Sequence, residues 1–284
     1  MTLLAVTNGA IWHAVYLESA RHELTVAFLD IGQGDAIFIE APNGNQILVD
    51  GGPDAKVLHE LGAVMPWYDK SLDMIVITNP DKDHIAGFID ILKRFDVGSV
   101  LEPGTQSKTL THTTLQELIK EKEIPKTLAR RGMKIILDDT PGREVILTVL
   151  FPDRDVSMET TNDGSIVARL TYGETEVMLT GDAPIGVENH LLSITDSSTP
   201  QFLRLESDIL KAGHHGSKTS SSEEFVKMVN PQYAVISCGK ENKYGHPNDE
   251  TLATLAKFPL KLFRTDQLGT IIMKSDGKKF TRVE

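Results

Sequence analysis

The chain has 284 residues, 40% apolar and 24% charged, enough to bury the core of one large layered α/β domain or two small ones. Its formal charge of −11 and pI near 5.3 exclude a protein held on nucleic acid by a broad basic surface, since counterion release needs massed lysine and arginine, but leave a local metal-assisted phosphate site open. The single cysteine, Cys238, excludes an intrachain disulfide and leaves stability to the core.

Residues 1–22 read as an apolar N-terminal extension, a short helix or strand or the remnant of a membrane segment. Met1 to Tyr16 has no basic flank, is interrupted by Asn8 and His13, and is shorter than the roughly 20 residues that span a bilayer. From Glu23 the pattern becomes regular: a strand over Leu24–Leu29, a turn at Gly32-Gln33-Gly34, a strand over Ala36–Glu40, a hairpin turn at Pro42-Asn43-Gly44, and a strand over Gln46–Val49 ending at Asp50-Gly51-Gly52. A helix follows around Ala55–Leu61, then a strand over Leu72–Ile77, a polar loop from Thr78 to His84, and a helix over Ile85–Phe95. The middle repeats the mixture, with strands near Ser99–Leu101, Lys134–Ile136 and Val145–Leu150 and a solvated helix near Thr114–Glu123. A hairpin of Ile166–Thr171 and Glu176–Thr180 runs into Gly181-Asp182, and Leu210 leads into Gly213-His214-His215-Gly216-Ser217. A helix over Ser222–Val229, a strand over Tyr233–Ser237, the turn Tyr244-Gly245-His246-Pro247, a helix near Asp249–Phe258 and an all-β close complete the chain. This is the ordering of an α/β sandwich, and without a fixed repeat or linker the simplest reading is one domain over 23–284.

Asp81, Asp83 and His84 stand within four residues in the loop after an apolar strand, where three donors can converge on a zinc or manganese ion, whereas helical spacing would spread them. The plain alternative is a solvated turn, for which Asp-Lys-Asp is ordinary chemistry. Asp182, His214, His215 and His246 each follow a strand end as well, positions that can share one edge of a sheet. Taken singly, each reads as a cap, a turn or a packed histidine; with Asp50 and the Asp81 run they form an ordered series.

The order Asp30-Ile-Gly-Gln-Gly-Asp35, Val49-Asp50-Gly-Gly52, Asn79-Pro-Asp81-Lys-Asp83-His84, Leu179-Thr-Gly-Asp182, His214-His215-Gly-Ser217 and Gly245-His246-Pro247 resembles the metallo-β-lactamase-like domain of the ComEC competence family, over about Leu24 to the C-terminus. The resemblance implies an αββα four-layer sandwich, a hydrolytic centre of one or two metals, and a nuclease role on DNA during uptake. It includes none of the family's membrane channel, so transport is not expected of this stretch alone. It also implies an extracytoplasmic location, a soluble cytoplasmic one being the alternative.

The departures from the family pattern bear on the first metal position. Asn79 stands where the family usually has histidine, and a neutral amide oxygen is the weaker zinc donor. Between His84 and Asp182 the only histidine is His112, at a Thr-rich helix start, so Asn162 or Asp163 is expected in that place. The second position is complete, with Asp83, His84, Asp182 as bridge, and His246 or His214 closing the shell.

The expected chemistry is attack by a metal-bound hydroxide on phosphorus or carbonyl carbon. Asp81 is a weak ligand or the base, Asp50 orients a ligand histidine, His215 is the proton donor and His214 the ligand of that pair, since successive residues do not easily reach one ion. Gln33 and Asp35 are expected at the site rim, Asp35 as a weak ligand or supporting group, and Lys211, Ser217 and Lys218 as phosphate contacts, Lys211 among the catalytic residues. The substrate expected first is DNA or RNA, with Zn2+ or Mn2+ as cofactor, one site strong and a second weaker. The alternatives are a broad-specificity hydrolase with β-lactamase activity and, because of Asn79, a metal-poor binding domain partnering a membrane DNA-uptake protein.

Overall fold

The computed structural model describes residues 23–196 and 198–283, so the extension expected at 1–22 lies outside the described residues. In chain order the strands are β1 (Leu24–Phe28), β2 (Ile37–Glu40), β3 (Gln46–Val49), β4 (Ser71–Leu72), β5 (Met74–Val76), β6 (Asp96–Val97), β7 (Val100–Glu102), β8 (Lys126–Leu128) and β9 (Lys134–Asp138). They continue as β10 (Val145–Phe151), β11 (Val167–Tyr172), β12 (Thr175–Leu179), β13 (Ile209–Lys211), β14 (Tyr233–Ile236), β15 (Lys261–Arg264), β16 (Ile271–Ser275) and β17 (Phe280–Val283). The helices are α1 (Lys56–Val64), α2 (Lys82–Leu92), α3 (Leu110–Glu121), α4 (Ile185–Ser193), α5 (Glu223–Val229), α6 (Asp249–Leu255) and α7 (Thr265–Leu268).

Two sheets carry the fold, one in the order β17-β16-β1-β2-β3-β5-β7-β8 and the other β15-β14-β13-β12-β11-β10-β9, with β4 and β6 forming a separate pair. Successive side chains on a strand point to opposite faces, and here both faces are covered. Val26 and Phe28 of β1, Ile47 and Val49 of β3, and Leu147 and Val149 of β10 therefore meet in a core between the sheets. The intervening Ala27 and Leu48 face a second core against Val57 and Leu61 of α1, Phe88 and Ile91 of α2, and Leu115 of α3. On the far side Met178 and Leu210 pack against Val187 and Leu191 of α4 and Phe225 and Val226 of α5. The result is helix, sheet, sheet, helix, the αββα sandwich.

The sheets set up the site through their parallel strands. β3, β5 and β7 run parallel in the first sheet, and β12 through β15 in the second. Asp50 ends β3, Asp182 follows β12, and Gly213–Gly216 follows β13 as a 3-10 turn, so the polar runs gather at carboxyl ends of strands. In open α/β sheets this is where ligand crevices form.

Several elements differ from the sequence expectation. The strand expected over Leu72–Ile77 is split, because Asp73 turns aside to accept from the Gln46 backbone N at 2.6 Å while its own N donates to Gln46 O at 2.9 Å. The helix expected from Ile85 begins at Lys82, with the Asp81 carbonyl already accepting from the His84 and Ile85 amides at 3.0 and 3.1 Å. The helix placed at Thr114 starts at Leu110, where Thr109 caps it by accepting from His112 N. Helix α4 has no counterpart in the sequence reading, since Gly186 in its first turn and the buried polar Glu188 obscure the apolar period. The close is not all-β, because α7 separates β15 from β16.

Candidate metal centre

Asp50 organises the first half of the site. It ends β3 in the left-handed region at φ 59°, where the Asp50-Gly-Gly52 turn bends back over α2. Its Oδ1 accepts from Thr78 N at 2.8 Å, and its Oδ2 accepts from Thr78 Oγ1 at 2.6 Å and faces His84 Nδ1 at 2.8 Å. With Nδ1 engaged, the other ring nitrogen of His84 points to Asp182, 3.1 Å from Oδ2. The sequence pattern predicts Asp83 and His84 in a loop, because helical spacing would spread them. They occupy the first turn of α2 and still converge, since the turn is short enough for adjacent side chains to reach groups arriving from the other sheet.

The second half comes from the two histidines after β13. His214 and His215 both adopt left-handed backbone, at φ 47° and 54°, a conformation that costs free energy in residues other than glycine and tends to collect at functional sites. It turns two successive side chains toward one carboxylate: His214 Nε2 lies 3.6 Å from Asp182 Oδ2, and His215 Nε2 lies 3.6 Å from Asp182 Oδ1. His215 Nε2 is also 3.4 Å from Asp83 Oδ2, and its Nδ1 is 3.1 Å from Ser237 O and 3.3 Å from Asp35 Oδ1. His215 is fully buried and His214 half-buried.

Electrostatically the cluster demands positive charge. Burial pushes the Asp182 carboxyl up, but the imidazoles of His84, His215 and His214 outweigh it and hold it well below the usual carboxylate range. The reciprocal effect acts on the rings: burial pulls His84 and His215 down, yet Asp182 with Asp50 holds His84 well above its ordinary value, and Asp182 with Asp35 raises His215 to about 9. Burial raises Asp83 too, but the His215 contact and the nearby His84 bring it below the ordinary value. At Asp50 burial prevails and the carboxyl is raised.

The donor atoms suit a divalent cation. The ligand atoms of Asp83, His84 and His215 lie within 4.8 Å of one another, as do those of Asp35, Asp182 and His215 and those of Asp35, Asp50 and His84. Buried His84 Nε2, His215 Nε2 and Asp182 Oδ1 make no hydrogen bond among the described residues. Buried polar atoms are rarely left so, and two imidazole nitrogens aimed at carboxylates are what zinc or manganese would satisfy. Asp83 keeps 32% of its side chain exposed, so the cluster opens to solvent on that side.

Other expected residues border this cluster or lie away from it, each with partners of its own. Asn79 Nδ2 donates to Asn162 Oδ1 at 2.6 Å and Asn79 Oδ1 accepts from Asp81 N at 2.9 Å, while Asp81 Oδ2 accepts from Thr161 Oγ1 at 2.9 Å. The polar groups at the expected first metal position thus bind one another, and Asp81 belongs to none of the three ligand clusters above. Asp163 accepts from Thr160 Oγ1, and His112, on α3, meets Ser107 O through Nδ1. His246 packs its ring edge-on to His214 at 5.6 Å between centroids, with Nδ1 making no hydrogen bond, rather than entering the ion-pair cluster.

Lys211, expected as a phosphate-contacting catalytic lysine, is fully buried, with Nζ 2.7 Å from Asp35 Oδ2 and 3.0 Å from Ala212 O, so its ammonium does not meet solvent. Gln33 Oε1 accepts from Gly239 N. Ser217 is buried and shares a hydrogen bond with Thr219 at 2.9 Å, whereas Lys218 is exposed. Tyr244, unassigned in the sequence reading, is 57% exposed and stacks on His246 at 5.9 Å with Lys243 Nζ 5.0 Å from its ring centre; an aromatic beside a turn histidine was its only sequence signal.

Comparison with known proteins finds relatives of this chain. ComE operon protein 3 of Bacillus subtilis (strain 168) is 29% identical over 298 residues, covering 95% of this chain and 36% of its own length. Competence protein ComA of Neisseria gonorrhoeae is 24% identical over 251 residues, covering 88% of this chain and 32% of its own. The chain therefore spans about a third of the length of these curated relatives, and both are competence-related, ComEC-like proteins. Among solved structures, the metallo hydrolase Igni18 from Ignicoccus hospitalis KIN4/I superposes with a TM-score of 0.54 at 15% identity, covering 92% of this chain and 99% of that one, a likeness of fold. The profile of the Metallo-beta-lactamase superfamily matches residues 29–240, and the chain belongs to that superfamily, with its metal-dependent hydrolase fold.

Proposed function

We propose that this chain is a metal-dependent phosphodiesterase acting on DNA or RNA, with one strongly held divalent cation, zinc or manganese, on Asp83, His84, Asp182 and His215. The reading rests on one observation above all: buried Nε2 atoms of His84 and His215 and Oδ1 of Asp182, without hydrogen bonds, converge beside half-exposed Asp83. When bound, such a cation lowers the pKa of a water to about 7 and polarises a phosphoryl oxygen. The rest falls to the chain. Asp50 fixes the ring of His84 through Nδ1, and Ser237 O with Asp35 does the same for His215. Asp81 keeps Oδ1 outside its bond to Thr161, which leaves that oxygen to take a proton from the attacking water. His214, half-buried with Nε2 turned toward the cluster, is the group that returns a proton to the leaving oxygen. The Asn79–Asn162 bond engages the side chains at the expected first position, so one strongly held cation is expected.

Nucleic acid is favoured as substrate by the competence-related names of the relatives and by Tyr244, an exposed ring beside His246 with Lys243 against it. An aromatic platform next to a cation is how single strands are held without base-specific contacts. The charge of −11 confines such contact to the neighbourhood of the site. The test is a metal-dependent assay on single-stranded DNA, RNA and nitrocefin, run on wild type and Asp182→Ala with metal analysis of both. Wild type is expected to retain about one equivalent of metal and cut nucleic acid while leaving nitrocefin intact, and Asp182→Ala to lose both metal and cleavage. Nitrocefin turnover with nucleic acid untouched would establish the β-lactamase alternative. Less than about half an equivalent after saturation would count against every enzymatic reading and leave the metal-poor binding domain.

A further inference from the structure

The Lys211 side chain is fully buried, and the proposed chemistry does not use it. An apolar residue in its place at the end of β13 would pack without the cost of desolvating an ammonium, so the lysine calls for a reason. Its surroundings are specific. Nζ lies 2.7 Å from Asp35 Oδ2 and donates to Ala212 O at 3.0 Å, joining the second sheet to the turn after β1 in the first. Asp35 itself is clamped: its N donates to Asp83 O at 3.2 Å and its O accepts from Gly52 N at 2.9 Å. The preceding Gly34 sits so close that a Cβ there would stand 2.2 Å from Asp83 O.

The other oxygen of Asp35 lies 3.3 Å from His215 Nδ1, which also faces Ser237 O at 3.1 Å. A carbonyl and a carboxylate only accept, so Nδ1 carries the proton and Nε2 is the nitrogen left for a ligand, a tautomer assigned from these neighbours. Asp35 is also near enough to compete, since its ligand atom, that of Asp182 and that of His215 lie within 4.8 Å of one another. We infer that Lys211 is a positioning residue that acts through Asp35: the ion pair holds the carboxylate on the Nδ1 side of His215, aims Nε2 at the cation and keeps Asp35 out of the ligand shell. This rests on the reading that His215 Nε2 is a metal ligand.

Zinc affinity measured against a chromophoric chelator, together with the visible absorption of the cobalt(II)-loaded protein, tests it in wild type, Lys211→Met, Asp35→Asn and the double variant, with far-UV circular dichroism reporting the fold. Loss of such supporting contacts typically weakens metal binding about 10–100-fold, and a loss of that size is expected in each single variant. Lys211→Met should also alter the cobalt spectrum, which follows ligand number and geometry and which a purely structural lysine would leave unchanged. The double variant is expected to bind zinc no more weakly than Asp35→Asn. A folded Lys211→Met with wild-type affinity and spectrum overturns the inference. If Lys211→Met does not fold, the near-isosteric Asp35→Asn decides, and unchanged zinc affinity there overturns it equally. Wild type that binds no zinc overturns the metal centre and this role together, whereas wild type that binds zinc beside an unaltered Lys211→Met overturns this role alone.

Discussion

Tyr244 and His246 stand two residues apart on one turn, but only Tyr244 is mostly exposed. If its ring is a base platform, Tyr244→Ala removes stacking without touching the metal. Stacking of one base on an aromatic is worth about 1–3 kcal/mol, roughly a 5- to 150-fold rise in KM for a single-stranded substrate at little change in kcat. Steady-state kinetics on an oligonucleotide, with metal content measured in parallel, checks this; a collapse of kcat at constant KM would place the ring in the chemistry instead. Asp83, His84 and Asp182 were legible in the sequence because polar donors placed at the ends of apolar strands stand out. Lys211 was not, because a lysine reads as solvated unless its partner is known, and Asp35 lies 176 positions away. Nor were the roles of His214 and His215 separable, since their left-handed backbone lets adjacent rings approach one carboxylate from its two oxygens.

Helix α2 brings half the proposed ligands to the site, and its docking depends on a glycine. Gly87 N donates to Gly52 O at 3.0 Å, and a Cβ on Gly87 would stand 1.9 Å from Gly51 O and 2.7 Å from Asp54 O. Alanine is the better helix former by about 1 kcal/mol, but the overlap here is with backbone that also holds Asp50, and overpacking costs about 1–3 kcal/mol or more. Gly87→Ala is therefore expected to lose up to about 2 kcal/mol net in urea unfolding. Gly62, exposed on α1 with nothing within 4 Å of its missing Cβ, supplies the contrast: Gly62→Ala should gain about 0.4–1 kcal/mol. Equal effects at the two positions would show that propensity, not docking, governs these helices. The same distinction explains what was readable in the elements. Short apolar runs bounded by turn residues gave β1, β2 and β3 nearly to the residue, because a strand buried on both faces is apolar nearly throughout. The split between β4 and β5 and the early start of α2 depend on the hydrogen bonds of Asp73 to Gln46 and of the Asp81 carbonyl to the His84 and Ile85 amides, which periodicity does not encode.

At the scale of the molecule, the proposed ligands are divided between the two halves of the sandwich. Asp83 and His84 arrive on α2 beside the first sheet, Asp182 and His215 on turns from the second, so a cation bound by all four ties the halves at one edge. A ligand that binds only the folded state stabilises it by about 2.7 kcal/mol at a free concentration 100 times its Kd. For a protein of this size each kcal/mol moves Tm by roughly 2 °C, so zinc or manganese at that excess should raise Tm by roughly 5 °C, and a chelator should reverse the rise. Asp182→Ala removes the carboxylate that both halves share and should abolish the shift. The metal-free variant also relieves crowding among buried acidic groups, so its own Tm need not fall in proportion, and the metal-dependent difference is the quantity to compare. A full shift retained in Asp182→Ala, read by calorimetry with and without metal, would place the cation elsewhere and leave the halves held by the inter-sheet core and by polar links such as the Lys211–Asp35 pair.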